Sequence, residues 1–199
     1  IKTLHRVIVT MNLAKKIFLL AWLLFLIGCL GYYVSHTDDF TPKHITDFIS
    51  QFEGHLLLAY FMISFLRGFT LIPSTPFVIA GVLLFPENKI IVLLISLGGI
   101  LFSATLIYFL SEFLGFDSYF EKIAPEKMLS ITTKINSPWG FLFIVLWSFF
   151  PLAPTDLVCY LAGTVRMNFL RFILAVALGE LIICLFYTYS IGSLNLLQG

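Results

Sequence analysis

The sequence predicts an all-α integral membrane protein, and three observations support that prediction. Of its 199 residues, 59% are hydrophobic and only 12% are charged. The mean hydropathy of +0.99 exceeds what a soluble domain of this size can bury. Long uncharged segments recur along the chain, and two of them contain paired prolines. With a net charge of +1, the chain lacks the basic character of nucleic-acid-binding domains, so membrane lipids are the predicted partners.

The N-terminal residues 1–16 are basic, and an uncharged segment at 17–34 follows them. Eighteen helical residues span about 27 Å, which is close to the thickness of the bilayer core. We therefore predict a transmembrane helix with its N-terminus in the cytoplasm, because basic flanks stay inside. A cleaved signal peptide is the competing interpretation, although no small-x-small cleavage site precedes Ser35. Met11 is a candidate for the native first residue, since position 1 is Ile.

Residues 35–56 are polar, and their charged residues are mostly acidic, which predicts an extracytoplasmic loop. Thr41 followed by Pro42 is a helix-start signal, and apolar residues then recur at helical spacing, which predicts an amphipathic helix at the membrane interface. These are Ile45, Phe48, Ile49, Phe52 and Leu56. Several potential metal ligands lie here without any established ligand spacing, so no metal site is predicted. They are His36, Asp38, Asp39, His44 and Asp47.

Two apolar segments contain prolines at the same spacing, Pro73 with Pro76 and Pro151 with Pro154. Each proline removes a backbone donor and clashes with the preceding helical turn, so helix breaks are expected at both places. Opened backbone at membrane depth survives only where protein covers it or where it lines a watery cavity. The prolines therefore predict two re-entrant hairpins beside a polar site. Two proline-kinked spanning helices are the alternative.

The membrane domain is predicted to occupy residues 57–199. Its hairpins are placed at 57–86 and 139–165, and each is followed by a spanning helix, at 90–111 and 169–197. If the hairpins enter from opposite faces, the domain is an inverted-topology repeat, whose broken helices mark a binding site near the bilayer midplane. In the first of these spans, Gly98 and Gly99 favour close helix contact.

A polar segment separates the two halves of this domain. Pro125 predicts the start of a cytoplasmic amphipathic helix there, because Lys122, Lys127 and Lys134 favour the inside. Its expected apolar face consists of Met128, Leu129, Ile131 and Ile135.

Four ionisable residues lie within or beside the apolar segments: Arg67, Glu112, Asp156 and Glu180. Such residues cost about 2.5 to 3.5 kcal/mol each at the bilayer centre, which makes them candidate functional residues. A planar guanidinium suits a lipid phosphate, so Arg67 is the candidate substrate ligand. The acids are candidates for proton coupling, Asp156 first among them. A structural ion pair that holds the hairpins together is the alternative role.

An enzyme is not predicted, and neither is a cofactor. All four histidines precede the first hairpin, and no Gly-x-Ser-x-Gly motif is present. The three cysteines lie far apart without metal spacing and are expected to be small buried hydrophobic residues.

These segments give the chain a family resemblance over roughly residues 60–192. It resembles the DedA superfamily, with its VTT or SNARE-associated Golgi protein domain, and within it the Tvp-like branch. The resemblance is carried by residues 67–81 with Pro73, by the helix at 98–109, and most specifically by Pro-Leu-Ala-Pro-Thr-Asp-Leu-Val-Cys-Tyr-Leu-Ala-Gly at 151–163. Ser148 and Glu112 depart from it, because they stand where family members often have arginine.

The resemblance implies a lipid transporter or scramblase that moves polyprenyl phosphates or phospholipids across the bacterial inner membrane. Pro73, Pro76, Pro151 and Pro154 would then shape a substrate site that includes Arg67 and Asp156. A proton-coupled small-ion transporter and a non-transporting membrane-organisation factor are the alternatives. The sequence leaves assembly into a homo-oligomer open.

The inverted repeat can be tested by topology mapping. In a cysteine-free background, a cysteine at Asn88 should be labelled from outside the cell and one at Asn168 only from the cytoplasm, because the preceding hairpins enter from opposite faces. Membrane-impermeant maleimide applied to intact cells measures this. Labelling of both positions from the same side would contradict the inverted repeat.

Overall fold

The computed structural model describes residues 13–114 and 125–197, with side chains over 17–114 and 125–190. These residues form nine α-helices and one short 3-10 helix, Thr37–Phe40. The α-helices are α1 (Leu13–Ser35), α2 (Pro42–Ser50), α3 (Leu56–Arg67), α4 (Thr75–Leu84), α5 (Lys89–Leu114), α6 (Pro125–Ile135), α7 (Pro138–Phe149), α8 (Thr155–Thr164) and α9 (Phe169–Leu197). The prediction of an all-α protein is confirmed over these ranges.

Three of these helices are long and apolar enough to cross a membrane, and they coincide with the predicted spans. They are α1 over Ile17–Ser35, α5, and α9 over Phe169–Ser190. Helix α9 packs against α7, α5 and α4, and α5 also packs against α8 and α3. Helix α1 is peripheral, because Leu26 is its single buried side chain among residues 17–35.

Both proline pairs interrupt helices, as predicted. Helix α3 ends at Arg67 and α4 begins at Thr75, while α7 ends at Phe149 and α8 begins at Thr155. Pro76 lies in the first turn of α4, where no backbone donor is needed, and Pro154 precedes α8 in an extended conformation. The order of two short helices around a break, followed by one long helix, thus occurs twice. The re-entrant paths and the inverted repeat remain predictions.

Helix α2 forms where the Thr41–Pro42 signal predicts it, and Thr41 caps it by accepting a hydrogen bond from the His44 backbone N–H at 3.4 Å. Its apolar face is divided in two. Ile45 and Ile49 are buried within a core cluster, whereas Phe48, and Phe52 just beyond the helix, are about half exposed. The helix therefore packs on α4 and also presents an aromatic ring outward. The predicted face extends too far, because the helix ends at Ser50 and Leu56 begins α3.

Helix α6 also forms, but its predicted apolar face is partly wrong. Met128 and Ile135 are buried, whereas Leu129 is 71% exposed and Ile131 is 42% exposed. Successive helical residues are rotated by about 100°, so Leu129 lies well away from the buried stripe set by Met128. The prediction that all three cysteines are buried also needs correction, because Cys29 is only partly buried.

Close packing in the core depends on a few glycines. A Cβ at Gly163 would clash with Ser111 Oγ and with the Tyr108 carbonyl, so α8 lies directly against α5 there. The sequence predicted close helix contact at Gly98 and Gly99 of α5, and only Gly99 lies against another helix. A Cβ added at Gly99 would lie 3.4 Å from the backbone of Ser64 in α3, whereas one added at Gly98 would meet open space.

Gly163→Ala should therefore destabilise the protein by about 1 to 3 kcal/mol, because the backbone of α5 must shift to admit a methyl group. Gly98→Ala is the matched control, and it should be neutral or stabilise the protein by up to about 1 kcal/mol through helix propensity. Unfolding in mixed detergent micelles measures both. Equal stability of the two variants would contradict the α8–α5 contact.

Candidate functional site

The two helix breaks meet inside the protein. The Thr75 hydroxyl at the start of α4 donates a hydrogen bond to the Pro151 carbonyl at 3.0 Å. Proline rings expose carbonyls that a continuous helix would have satisfied, and here the other break supplies the donor. The first break is thus attached to the second.

Arg67 is the last residue of α3, and only 4% of it is exposed. Its Nη1 donates to the Ile72 carbonyl at 2.8 Å within the first break. Its Nη2 has no hydrogen-bond partner among the described residues. The guanidinium therefore fixes its own loop and retains donor capacity.

Asp156 is the second residue of α8 and is 2% exposed. Its Oδ2 lies 4.0 Å from Arg67 Nη1, beyond the 2.7–2.9 Å of a charge-assisted hydrogen bond. Within the part of the chain that the structure describes, Oδ2 accepts no hydrogen bond. Two residues far apart in the sequence therefore lie close together, and their role as a binding site remains a prediction.

Glu180 lies in the middle of α9 and is fully buried. One carboxylate oxygen accepts a hydrogen bond from Thr155 Oγ1, and the other accepts from Ser74 Oγ at 3.3 Å. Ser74 immediately precedes α4 and Thr155 begins α8. Because helix N-termini carry partial positive charge, the two breaks together hold an anion at Glu180.

The cluster contains two carboxyl groups and one guanidinium. It is electrically neutral only when one carboxyl carries a proton, and a net charge buried at this depth is costly. A charge brought near the cluster would therefore change how favourable that proton is.

The cavity beside Arg67 is small. It measures about 10 Å³, and its lining is mixed: Ser64, Arg67, Ser74 and Ser96 lie beside the apolar Phe77, Val78 and Ile100. That volume accommodates about one water molecule. A phosphate group does not fit in this closed arrangement, so entry of a head group requires the helices around the breaks to separate.

The chain matches the VTT domain over residues 72–193, which is well over half of its length. It belongs to the VTT domain family. It is also 34% identical over 110 residues to an uncharacterized protein of Methanocaldococcus jannaschii, a match that covers 55% of this chain and 67% of the relative. No solved structure matches it.

Family membership and the three apolar helices make the chain an integral membrane protein, from a family generally regarded as non-enzymatic. The predicted family resemblance is thereby confirmed. The VTT match begins at residue 72, so Arg67 lies just before it, whereas Asp156 and Glu180 lie inside it. The buried ion pair therefore joins the VTT domain to the helix that precedes it.

The structure places the sequence-predicted residues unequally. Arg67, Asp156 and Glu180 form the cluster, and the four prolines shape the backbone around it. Glu112 is exposed on the last turn of α5 and lies outside the buried cluster. Among the described residues, no group of three or more His, Cys, Asp or Glu side chains is placed to hold a metal ion.

Sequence reasoning missed Ser74 and Thr155, the two donors to Glu180. Both are hydroxyl residues next to a proline-broken helix start, in Ser-Thr-Pro and Pro-Thr-Asp. Hydroxyl residues favour such starts because they offer hydrogen bonds to nearby groups. That signal was present in both segments.

Thr155→Val should lower the free energy of unfolding by about 1 to 3 kcal/mol, because it removes a donor from a buried carboxylate. Thr164→Val is the matched control on the same helix. The Thr164 hydroxyl donates to the Tyr160 carbonyl one turn earlier, so its loss should cost less than about 1 kcal/mol. Unfolding of both variants in mixed micelles measures the difference, and equal losses would argue against the Glu180 contact.

Proposed function

We propose that this protein transports a phosphate-bearing lipid, a polyprenyl phosphate or a phospholipid, across the bilayer and couples that movement to a proton. The observation that carries the proposal is Arg67. It is a buried guanidinium at the meeting of two helix breaks, and one of its nitrogens has no hydrogen-bond partner among the described residues.

Phosphate recognition is the chemistry that these groups favour. A guanidinium binds phosphate oxygens through parallel N–H groups, and Arg67 Nη2 is available for such a bond. The N-termini of α4 and α8 add partial positive charge at the same place. Glu180 holds that position in the closed arrangement, so an arriving phosphate would compete with its carboxylate for the two helix starts.

Proton coupling follows from the charge of the cluster. An arriving phosphate adds negative charge beside Asp156 and Glu180, so protonation of either carboxyl favours phosphate binding. By linkage, phosphate binding then favours proton uptake to the same extent. Release of the proton on the other side would expel the lipid, which gives the cycle a direction.

The repeated order of broken helices and long helices supports alternating access, in which one repeat rocks against the other around a central site. We place the protein in the plasma membrane of a bacterium with its N-terminus in the cytoplasm, following the basic residues of its first segment. Assembly of several copies would be compatible with this mechanism.

Transport of a small ion, with proton coupling, is the second candidate. The cavity of about 10 Å³ beside Arg67 favours it, because one water or a small ion fits without rearrangement. A membrane-organisation factor is the remaining alternative, and it would move neither lipid nor ion.

The test uses purified protein in liposomes with a labelled phospholipid or polyprenyl phosphate. Arg67→Lys should abolish lipid transport, because an ammonium keeps the charge and loses the planar fork. Asp156→Asn should bind lipid without completing the cycle. Glu112→Gln is the matched control, and it should transport normally because Glu112 is exposed.

A structural ion pair predicts a different outcome. Each single neutralisation of Arg67 or Asp156 would then destabilise the protein by about 3 to 5 kcal/mol, and the double variant Arg67→Gln/Asp156→Asn would recover. Recovered transport in the double variant would contradict the proposed site. Ion flux without lipid transport would favour the second candidate, and the absence of both would favour an organising role.

A further inference from the structure

A second cavity lies between α1 and the first helix break, and it is much larger than the one beside Arg67. It measures about 450 Å³. Phe25, Gly28, Cys29 and Tyr32 of α1 form one wall, and Thr70 and Ile72 of the break form the other. The α1 wall runs over seven residue steps, or about 10 Å of helix. We call this cavity the α1 groove.

The outer wall of the α1 groove is lightly attached to the protein. Trp22 Nε1 donates to the Tyr160 hydroxyl at 2.8 Å, and its ring meets Phe69 edge to face at 6.2 Å. Leu26 is the only buried side chain of α1 among residues 17–35. Such an element can move aside without disturbing the core.

The lining of the α1 groove indicates what occupies it. It is predominantly apolar and lies along a helix that is long and apolar enough to span the bilayer. Such a helix is surrounded by lipid hydrocarbon over most of its length. A volume near 450 Å³ falls within the range of ligand-binding cavities, so a hydrocarbon chain is the occupant of matching size and polarity.

The inner wall of the α1 groove is the loop that Arg67 fixes. Thr70 Oγ1 donates to the Arg67 carbonyl at 2.7 Å, and the Ile72 carbonyl accepts from the Arg67 guanidinium. The other end is acidic, because Tyr32 donates to Asp39 Oδ2 at 3.0 Å. A phosphate is therefore repelled at the Asp39 end, and beyond Ile72 the Arg67 guanidinium offers it a donor.

We propose that the α1 groove binds one acyl chain of a bilayer phospholipid, whose phosphate head group passes between α1 and the first break to reach Arg67. The proposal rests on the proposed function and adds the path by which substrate enters. Helix α1 is then a lateral gate, and lipid leaves the membrane and enters the protein by passing between α1 and the first break.

Two glycines of α1 supply the test and its control. A side chain at Gly28 or at Gly31 meets no atom within 4 Å of its Cβ, but only Gly28 lines the α1 groove. Gly28→Leu should occupy part of the α1 groove, since its Cβ meets open space, and Gly31→Leu adds the same side chain outside the groove. Both variants should unfold at the temperature of the unchanged chain.

The probe is phosphatidylglycerol with a diazirine in the middle of one acyl chain, in phosphatidylcholine vesicles that contain the full chain. Illumination should label Thr70–Ile72 and the facing residues of α1. Gly28→Leu should lower labelling of the break at least five-fold, and Gly31→Leu should leave it unchanged. Equal labelling in the two variants would overturn the proposal. Cross-linking between the α1 helices of two copies is the other outcome to examine. If it occurs and Gly28→Leu abolishes it, a second copy occupies the α1 groove, and the proposal is overturned.

Transport measured on the same vesicles separates this proposal from the proposed function. Loss of both labelling and lipid transport in Gly28→Leu alone supports the entry path. If the α1 groove is labelled but the protein transports no lipid, the proposed function is contradicted, whereas the acyl-chain site is supported. Normal transport by Gly28→Leu would overturn the entry path while leaving the proposed function intact.

Discussion

Backbone opened by proline inside a membrane must find hydrogen-bond partners within the protein, and this requirement determines much of the structure around the site. The Arg67 guanidinium satisfies the Ile72 carbonyl of its own break, and Thr75 satisfies Pro151 of the other. Because lipid offers no donors or acceptors, each break depends on neighbouring protein. The polar groups that make a binding site possible are therefore the same groups that allow the breaks to exist.

That double role explains why the cluster is incompletely paired. A purely structural ion pair stabilises the protein most when its atoms reach hydrogen-bond distance. Arg67 Nη1 and Asp156 Oδ2 are instead 4.0 Å apart. Arg67 Nη2 and Asp156 Oδ2 each lack a hydrogen bond among the described residues. Buried polar atoms without partners are uncommon and need an explanation. A ligand that enters when the helices separate would supply the missing partners, whereas Glu180, with a hydroxyl on each oxygen, is already satisfied.

The sequence predicted the helix breaks and the spans because proline chemistry and hydropathy act locally. It also singled out Arg67 and Asp156, which lie close together in the structure, because charges inside apolar segments are few. It did not find Ser74 and Thr155, because a hydroxyl beside a helix start is a weaker signal than a charge inside an apolar segment. Glu112 was included because it follows a long apolar segment, but its position around the last turn of α5 leaves it exposed. The direction in which a side chain near a helix end points depends on tertiary packing, and hydropathy carries no information about packing.

Helix α1 and Arg67 precede the matched VTT region. The proposed phosphate-binding arginine and the proposed lateral gate therefore both lie outside that region. Helices in lipid gain no hydrophobic free energy by associating, and they need close contact through small residues or polar bonds. Gly28 and Gly31 make no such contact, and the Trp22–Tyr160 hydrogen bond is the polar side-chain bond by which α1 reaches α8. Helix α5 instead brings Gly99 against Ser64, and α8 brings Gly163 against Ser111. The difference in packing makes α1 the spanning helix that can move at least cost, and it stands beside the loop that follows Arg67.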